Sequence, residues 1–162
     1  MTSVRELIRA KGGDVWSIRP DDWVFDALKL MAEKDVGALL VLEGETLVGI
    51  ISERDYARKV ILKGKSSMST PVRDIMTSAL VYVGPEQSIE ECMAIMTEKH
   101  VRHLPVIQDN RLIGIISIGD VVKAIISDQE FMIEQLEKYI GGYVTHWAHR
   151  SAKTLADPQG VT

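Results

Sequence analysis

The sequence predicts an α+β fold made of two copies of one β-α-β-β-α unit, packed with pseudo-two-fold symmetry. Three observations carry that prediction. The string Gly-Ile-Ile-Ser-x-x-Asp occurs twice, at Gly49–Asp55 and Gly114–Asp120. A shift of 65 residues aligns Pro20–Ile61 with Pro85–Ile126 without a gap, giving 14 identities in 42 positions, too many for chance at one register. Among them are Met31/Met96, Val36/Val101, Leu39/Leu104, Val41/Val106 and Leu47/Leu112. The apolar spacing is also shared: helical in one part of each copy, strand-like in the next.

Each unit is expected to open with a short strand, Val15–Ile18 and Leu80–Val83. Val24, Ala27, Leu28 and Met31 recur at i, i+3, i+4, i+7, as do Ile89, Cys92, Met93 and Met96, which predicts two amphipathic helices. Asp22 is a candidate cap for the first, and Ser88 with Glu91 a capping box for the second. Two hairpins follow. One joins Ala38–Leu42 to Leu47–Ile51 through Glu43-Gly44-Glu45; the other joins Leu104–Ile107 to Leu112–Ile116 through Gln108-Asp109-Asn110. A further helix starts at each Ser-x-x-Asp, the first ending near Lys63-Gly64. The last runs from Asp120 to about Ile140, stops at Gly141-Gly142, and spans roughly 30 Å. The expected division is an N-terminal helix over 1–11, repeats over 12–64 and 74–128, a linker over 65–73, and a helical extension with tail over 129–162.

Composition excludes several functions. At 162 residues the chain can bury a core without disulfide or metal. A net charge of −4 with no basic stripe argues against nucleic acid as a partner. One cysteine, Cys92, points to a reducing compartment, the cytoplasm by default, and its apolar helix position suits a core thiol rather than a nucleophile. Charged residues break the first apolar stretch, so no secretory signal is expected, and no apolar run approaches a membrane span. There is no Ser-His-Asp set, glycine-rich phosphate loop or acid/base pair, so the chain is not expected to be an enzyme. His100/His103 and His146/His149 have i, i+3 spacing, but no further ligands complete a metal set.

With Asp74-Ile75-Met76-Thr77, His103-Leu104-Pro105-Val106 and the two Gly-Ile-Ile-Ser-x-x-Asp corners in register, the sequence resembles a tandem CBS pair, or Bateman module, of the stand-alone bacterial type. The resemblance covers about residues 12–128. It implies a regulatory module that binds an adenosine-containing nucleotide (AMP, ADP, ATP, NAD or S-adenosylmethionine) and signals to a protein partner. It also implies that each pocket is shared between the units. The corner of Ser52, Arg54 and Asp55 would meet Thr77, Ala79 and Val81 and the loop of Arg102, His103 and Pro105. The corner of Ser117 and Asp120 would meet Asp14 and Trp16, with Ile51 and Ile116 near the adenines.

A carboxylate in a first helical turn can accept both ribose hydroxyls, while free helix amides face a phosphate. Capping is the alternative role for the same Ser-x-x-Asp, although reciprocal boxes prefer the longer Glu or Gln. Arg54 and Arg102 are matched by Gly119 and Gly37 in the other unit, which predicts two sites of unequal phosphate preference. The competing function is a ligand-independent interaction scaffold. Apolar residues Phe131, Leu136 and Tyr139 on the last helix call for a homodimer in either case.

Overall fold

The computed structural model describes residues 2–140. Residues 1–129 form one compact unit that holds both repeats; the continuation of the last helix beyond it is a second. Helix α1 (Val4–Lys11) is followed in the first repeat by β1 (Ser17–Ile18), α2 (Val24–Lys34), β2 (Ala38–Glu43), β3 (Thr46–Ser52) and α3 (Glu53–Lys59). The second repeat has α4 (Ile89–Lys99), β4 (His103–Gln108), β5 (Arg111–Ser117) and α5 (Ile118–Tyr139). The fold class is the expected one; the Gly141-Gly142 stop and His146/His149 lie outside the described residues.

The hairpins superimpose in register. Leu40 faces Ile50 in one, and Pro105 faces Ile115 in the other. Both close through two-residue loops, with Gly44 at φ +63° in the first and Asp109 and Asn110 at φ +51° and +62° in the second. These are the left-handed conformations that tight hairpins favour. The leading strands differ. β1 pairs in parallel with β2, and the Leu40 amide donates to the Trp16 carbonyl at 3.2 Å. The expected strand Leu80–Val83 is reduced to a single bridge between Val83 and Val106. Its partner at the position of Leu40 is Pro105, which has no amide hydrogen to extend the ladder.

Two helix ends also depart from expectation. Asp22 does not cap α2: its carboxylate accepts from the Arg19 amide at 3.0 Å, and Trp23 is the cap residue. The first amides of α2 donate instead to the carbonyls of Thr70 and Ser67, both at 2.9 Å. Helix α3 ends at Lys59, short of Lys63-Gly64, because Val60 (φ −114°, ψ −69°) leaves the helix and is fully buried. A 3₁₀ turn over Ile61–Lys63 then closes on Gly64 at φ +68°.

Two equivalent cores form around the helical stripes. Val24, Ala27, Met31, Leu39, Val41 and Ile51 fill one; Ile89, Cys92, Met96, Leu104, Val106 and Ile116 fill the other. Each is completed by a segment from outside its own repeat. Val4 and Leu7 of α1 enter the second core, while Val72 and Ile75 enter the first. The hydrogen bonds match pair for pair. The Val4 amide donates to Gln87 O at 2.9 Å and Val72 to Asp22 O at 2.8 Å; Arg5 donates to Pro85 O at 3.0 Å and Arg73 to Pro20 O at 2.9 Å. Arg5 pairs with Glu86, and Arg73 with Asp21. The repeats are thus tied by a reciprocal exchange of leading segments.

The exchanged segments pass close to Gly49 and Gly114. A Cβ on Gly49 would lie 2.7 Å from Met76 Sδ and 3.1 Å from the Thr77 carbonyl; on Gly114 it would meet the tip of Ile8 at 3.1 Å. A flexible side-chain end can yield where a backbone carbonyl cannot. Gly49→Ala is therefore expected to cost roughly 1–3 kcal/mol and Gly114→Ala distinctly less. Urea denaturation of both variants checks the order; equal losses would show that the close backbone is not the limiting contact.

Candidate functional site

At the start of α3, Ser52 is extended (φ −125°, ψ 163°), and its Oγ accepts from the Asp55 amide at 3.2 Å. Asp55 Oδ2 accepts in return from the Ser52 amide and hydroxyl, both at 3.0 Å. The reciprocal box therefore forms with Asp as the third residue, although such boxes prefer the longer Glu or Gln. The other oxygen, Oδ1, is 3.0 Å from Lys59 Nζ, one helical turn on, and the same Nζ donates to Ile75 O at 2.9 Å.

This corner opens onto a cleft of about 450 Å³ between the repeats. It brings together Ser52, Arg54, Asp55, Thr77, Ala79, Val81, Arg102 and His103 from the expected set. Thr77 is placed by mutual hydrogen bonds with Ile50 (Thr77 N to Ile50 O, 2.8 Å; Ile50 N to Thr77 O, 3.0 Å). Ile51 does not line the cleft, nor does Pro105. Ile51 is fully buried in the first core, because neighbouring residues of a strand face opposite ways, and Pro105 is buried in β4. Ile50 faces the cleft instead.

The cleft also contains Arg58, Lys59 and His100, which the sequence reading did not assign to it. Arg58 and Lys59 stand four residues beyond Arg54 and Asp55, and that i, i+4 spacing is the signal that places all four on neighbouring rows of one helix. Four permanent cations, Arg54, Arg58, Lys59 and Arg102, thus face two carboxylates, Glu53 and Asp55. The amides of α3 offer less than expected. Glu53 N donates to Gly37 O at 3.1 Å and Asp55 N to Ser52 Oγ, so the guanidinium groups are the main donors.

The second corner is built differently. The Ser117 amide donates to Asp120 Oδ2 at 2.8 Å, and the Asp120 amide to Ser117 Oγ at 3.1 Å. Lys11, at the end of α1, puts its Nζ 2.6 Å from the same Oδ2 and 2.8 Å from Ile115 O. Burial pushes the Asp120 carboxyl up, but the Lys11 and Ser117 hydrogen bonds outweigh it and hold the group below its ordinary range. Asp14 is exposed, and Trp16 packs beneath Lys34, whose Nζ is 4.2 Å from the ring centre. Ile116 is fully buried in the second core.

A duplicated β-α-β-β-α unit with a ligand-sized cleft at the shared Ser-x-x-Asp corner defines a tandem CBS pair. The CBS domain profile matches residues 4–61 and 72–127, and the chain belongs to that family. It is 43% identical over 152 residues to the mitochondrial CBS domain-containing protein CBSX3 of Arabidopsis thaliana, covering 88% of this chain and 74% of that one. A solved CBS-domain protein from Burkholderia ambifaria is 52% identical, with TM-score 0.77, covering 79% of this chain and 96% of that one. A CBS domain pair solved with 5′-methylthioadenosine and S-adenosyl-L-methionine shares the fold at TM-score 0.70 and 19% identity, covering 79% of this chain and 98% of that one. Among the described residues no helix is long and apolar enough to cross a membrane.

His103 is half-buried at this junction. Burial is the largest influence holding its pKa below 6.5; Lys11 and Arg102 add to the effect, and Asp120 opposes it. The unfolded chain therefore binds a proton at His103 more readily than the folded one, and stability rises with pH across that window. Acidification from about pH 7.5 to about 5.5 is expected to destabilise the unmodified protein more than His103→Gln. Urea titrations at the two pH values measure the difference. Parallel losses in both proteins would remove His103 as the cause.

Proposed function

We propose that the chain is a regulatory sensor of a phosphate-bearing adenosine nucleotide (AMP, ADP, ATP or NAD) that acts in the cytoplasm on a protein partner. Its working units are the repeats 12–64 and 74–128, joined across 65–73. The observation that carries the reading is the Asp55 cleft. A carboxylate oriented by its own helix cap stands between an apolar wall of Ile50, Ala79, Leu80 and Val81 and a group of cations. The apolar wall suits adenine, Asp55 the ribose hydroxyls, and Arg54, Arg58 and Arg102 the phosphates. CBS domain pairs are regulatory modules, and the solved pair holding two adenosyl ligands supports the same ligand class here. The excess of cations favours phosphate over the sulfonium of S-adenosylmethionine.

The completed Ser52–Asp55 box favours the second reading, a scaffold in which Asp55 is a cap and nothing more. Calorimetric titration of Asp55→Asn with AMP and 2′-deoxy-AMP separates the two. Hydrogen bonds to a charged group are worth roughly 1.5–3 kcal/mol, so the variant is expected to lose at least about tenfold in AMP affinity. The unmodified protein should discriminate against the deoxy form, and the variant should do so far less. If Asp55→Asn binds both nucleotides as the unmodified protein does, the ribose assignment is wrong.

A homodimer is proposed with either reading. Phe131, Met132, Leu136 and Tyr139 of α5 are all more than half exposed, and contiguous apolar surface of that kind marks an interaction site. Sedimentation at micromolar concentration is expected to give twice the 18.1 kDa chain mass; a lone chain would overturn it.

A further inference from the structure

The two Ser-x-x-Asp corners share a backbone but not an occupant. In the first, the Ile50 carbonyl accepts from the Thr77 amide, the chain turns outward, and the Thr77–Val81 segment becomes a cleft wall. In the second, α1 continues as a helix past the equivalent point. Lys11 Nζ, not an amide, donates to the Ile115 carbonyl and at the same time holds Asp120 Oδ2. The cause lies in segment length. Val72 and Val81 are nine residues apart, whereas their counterparts Val4 and Trp16 are twelve apart. The additional three residues are close to one helical turn, and it carries the lysine.

Lys11 does not reach the corner from a free tail. Its helix is held by Val4 and Leu7 in the second core, by Ile8 against Gly114, and by the amide bonds of Val4 and Arg5. The ammonium is thereby presented to Asp120 by a fixed element. Asp120 Oδ2 accepts from both the Ser117 amide and Lys11, so the oxygen that caps the helix is also the one the lysine holds. The counterparts of Arg54, Lys59, Arg102 and His103 are Gly119, Ala124, Gly37 and Ala38, which carry no charge, so that of the four cleft cations only Arg58 has a charged counterpart, Lys123.

We propose that Lys11 is a built-in occupant of the Asp120 corner, so that the chain takes one nucleotide, at Asp55, and keeps its second corner closed. The proposal rests on the nucleotide reading of the Asp55 cleft.

Calorimetric titration with AMP counts the sites. The unmodified protein is expected to bind one AMP per chain, Lys11→Met and Lys11→Gln two, and Lys11→Arg, which keeps a cation at the position, one. Adding Asp55→Asn to Lys11→Met should weaken one of the two sites and leave the other. Cooperative thermal unfolding of each variant confirms that the count is taken on folded protein. Two AMP bound by the unmodified protein, or one by both the unmodified protein and the Met and Gln variants, overturns the Lys11 assignment and leaves the nucleotide reading standing. A loss of one bound AMP on removing Lys11 also overturns it, by showing the lysine to be a phosphate ligand. No binding to any form overturns the nucleotide reading itself.

Discussion

The reciprocal exchange of two short segments holds the rest of the molecule in place. A hairpin with two helices leaves part of its apolar surface open, and each repeat closes that gap with residues that do not belong to it. Val72 and Ile75 are at most 1% exposed in the first core, and Val4 is fully buried in the second. Burying an apolar side chain of this size contributes roughly 1.5–3 kcal/mol. Two such residues on each side are a large share of the stability of a domain this small. The same segments carry the bonds that cap α2 and α4. Thr70 O receives the first amide of one, and Thr2 O that of the other at 3.2 Å. Separating the repeats would therefore open both cores and uncap both helices together.

The cleft inherits its geometry from this exchange. Once Ile75 is locked in the first core, Met76 lies against Gly49 and Thr77 must bond to Ile50, which sets the direction of the wall through Val81. On the other side the exchanged segment is helical for longer, and the corner receives a lysine where the first receives the Thr77–Val81 segment. Two identical Gly-Ile-Ile-Ser corners thus differ chemically through what is delivered to them. Gly37 and Ala38 of the first repeat stand where the second has Arg102 and His103, and Gly119 of the second stands where the first has Arg54.

The periodic features were legible from sequence because burial dictates them. The helix stripes and both hairpins follow from where apolar side chains must go, and Val24, Ala27 and Met31 are buried as their spacing requires. What failed was what burial does not encode. Leu80–Val83 has the composition of a strand, yet its pairing was decided by a proline 22 residues away in sequence. Asp22 has the chemistry of a cap and found a nearer amide. Ile51 is misplaced by one residue; strand alternation from the corner residue Ser52, which lines the cleft, points to Ile50 as the cleft residue. The exchange was readable in principle. Thr2-x-Val4-Arg5 and Thr70-x-Val72-Arg73 are the same string at a spacing of 68, out of register with the 65-residue repeat.

The use of Asp at the third helical position has a physical consequence for the cleft. Its short side chain divides the work of the carboxylate: Oδ2 closes the box on Ser52 while Oδ1 is left to Lys59. Helix α3 has no buried residue of its own, so its start depends on that box. A ligand hydroxyl that takes Oδ1 leaves the cap intact and competes with Lys59 alone. The displaced ammonium would also leave Ile75 O, the carbonyl of a residue in the exchanged segment. Occupancy of the Asp55 corner and the tie between the repeats therefore meet at one lysine, and a ligand can shift the second only by its difference in affinity for the two arrangements of that side chain.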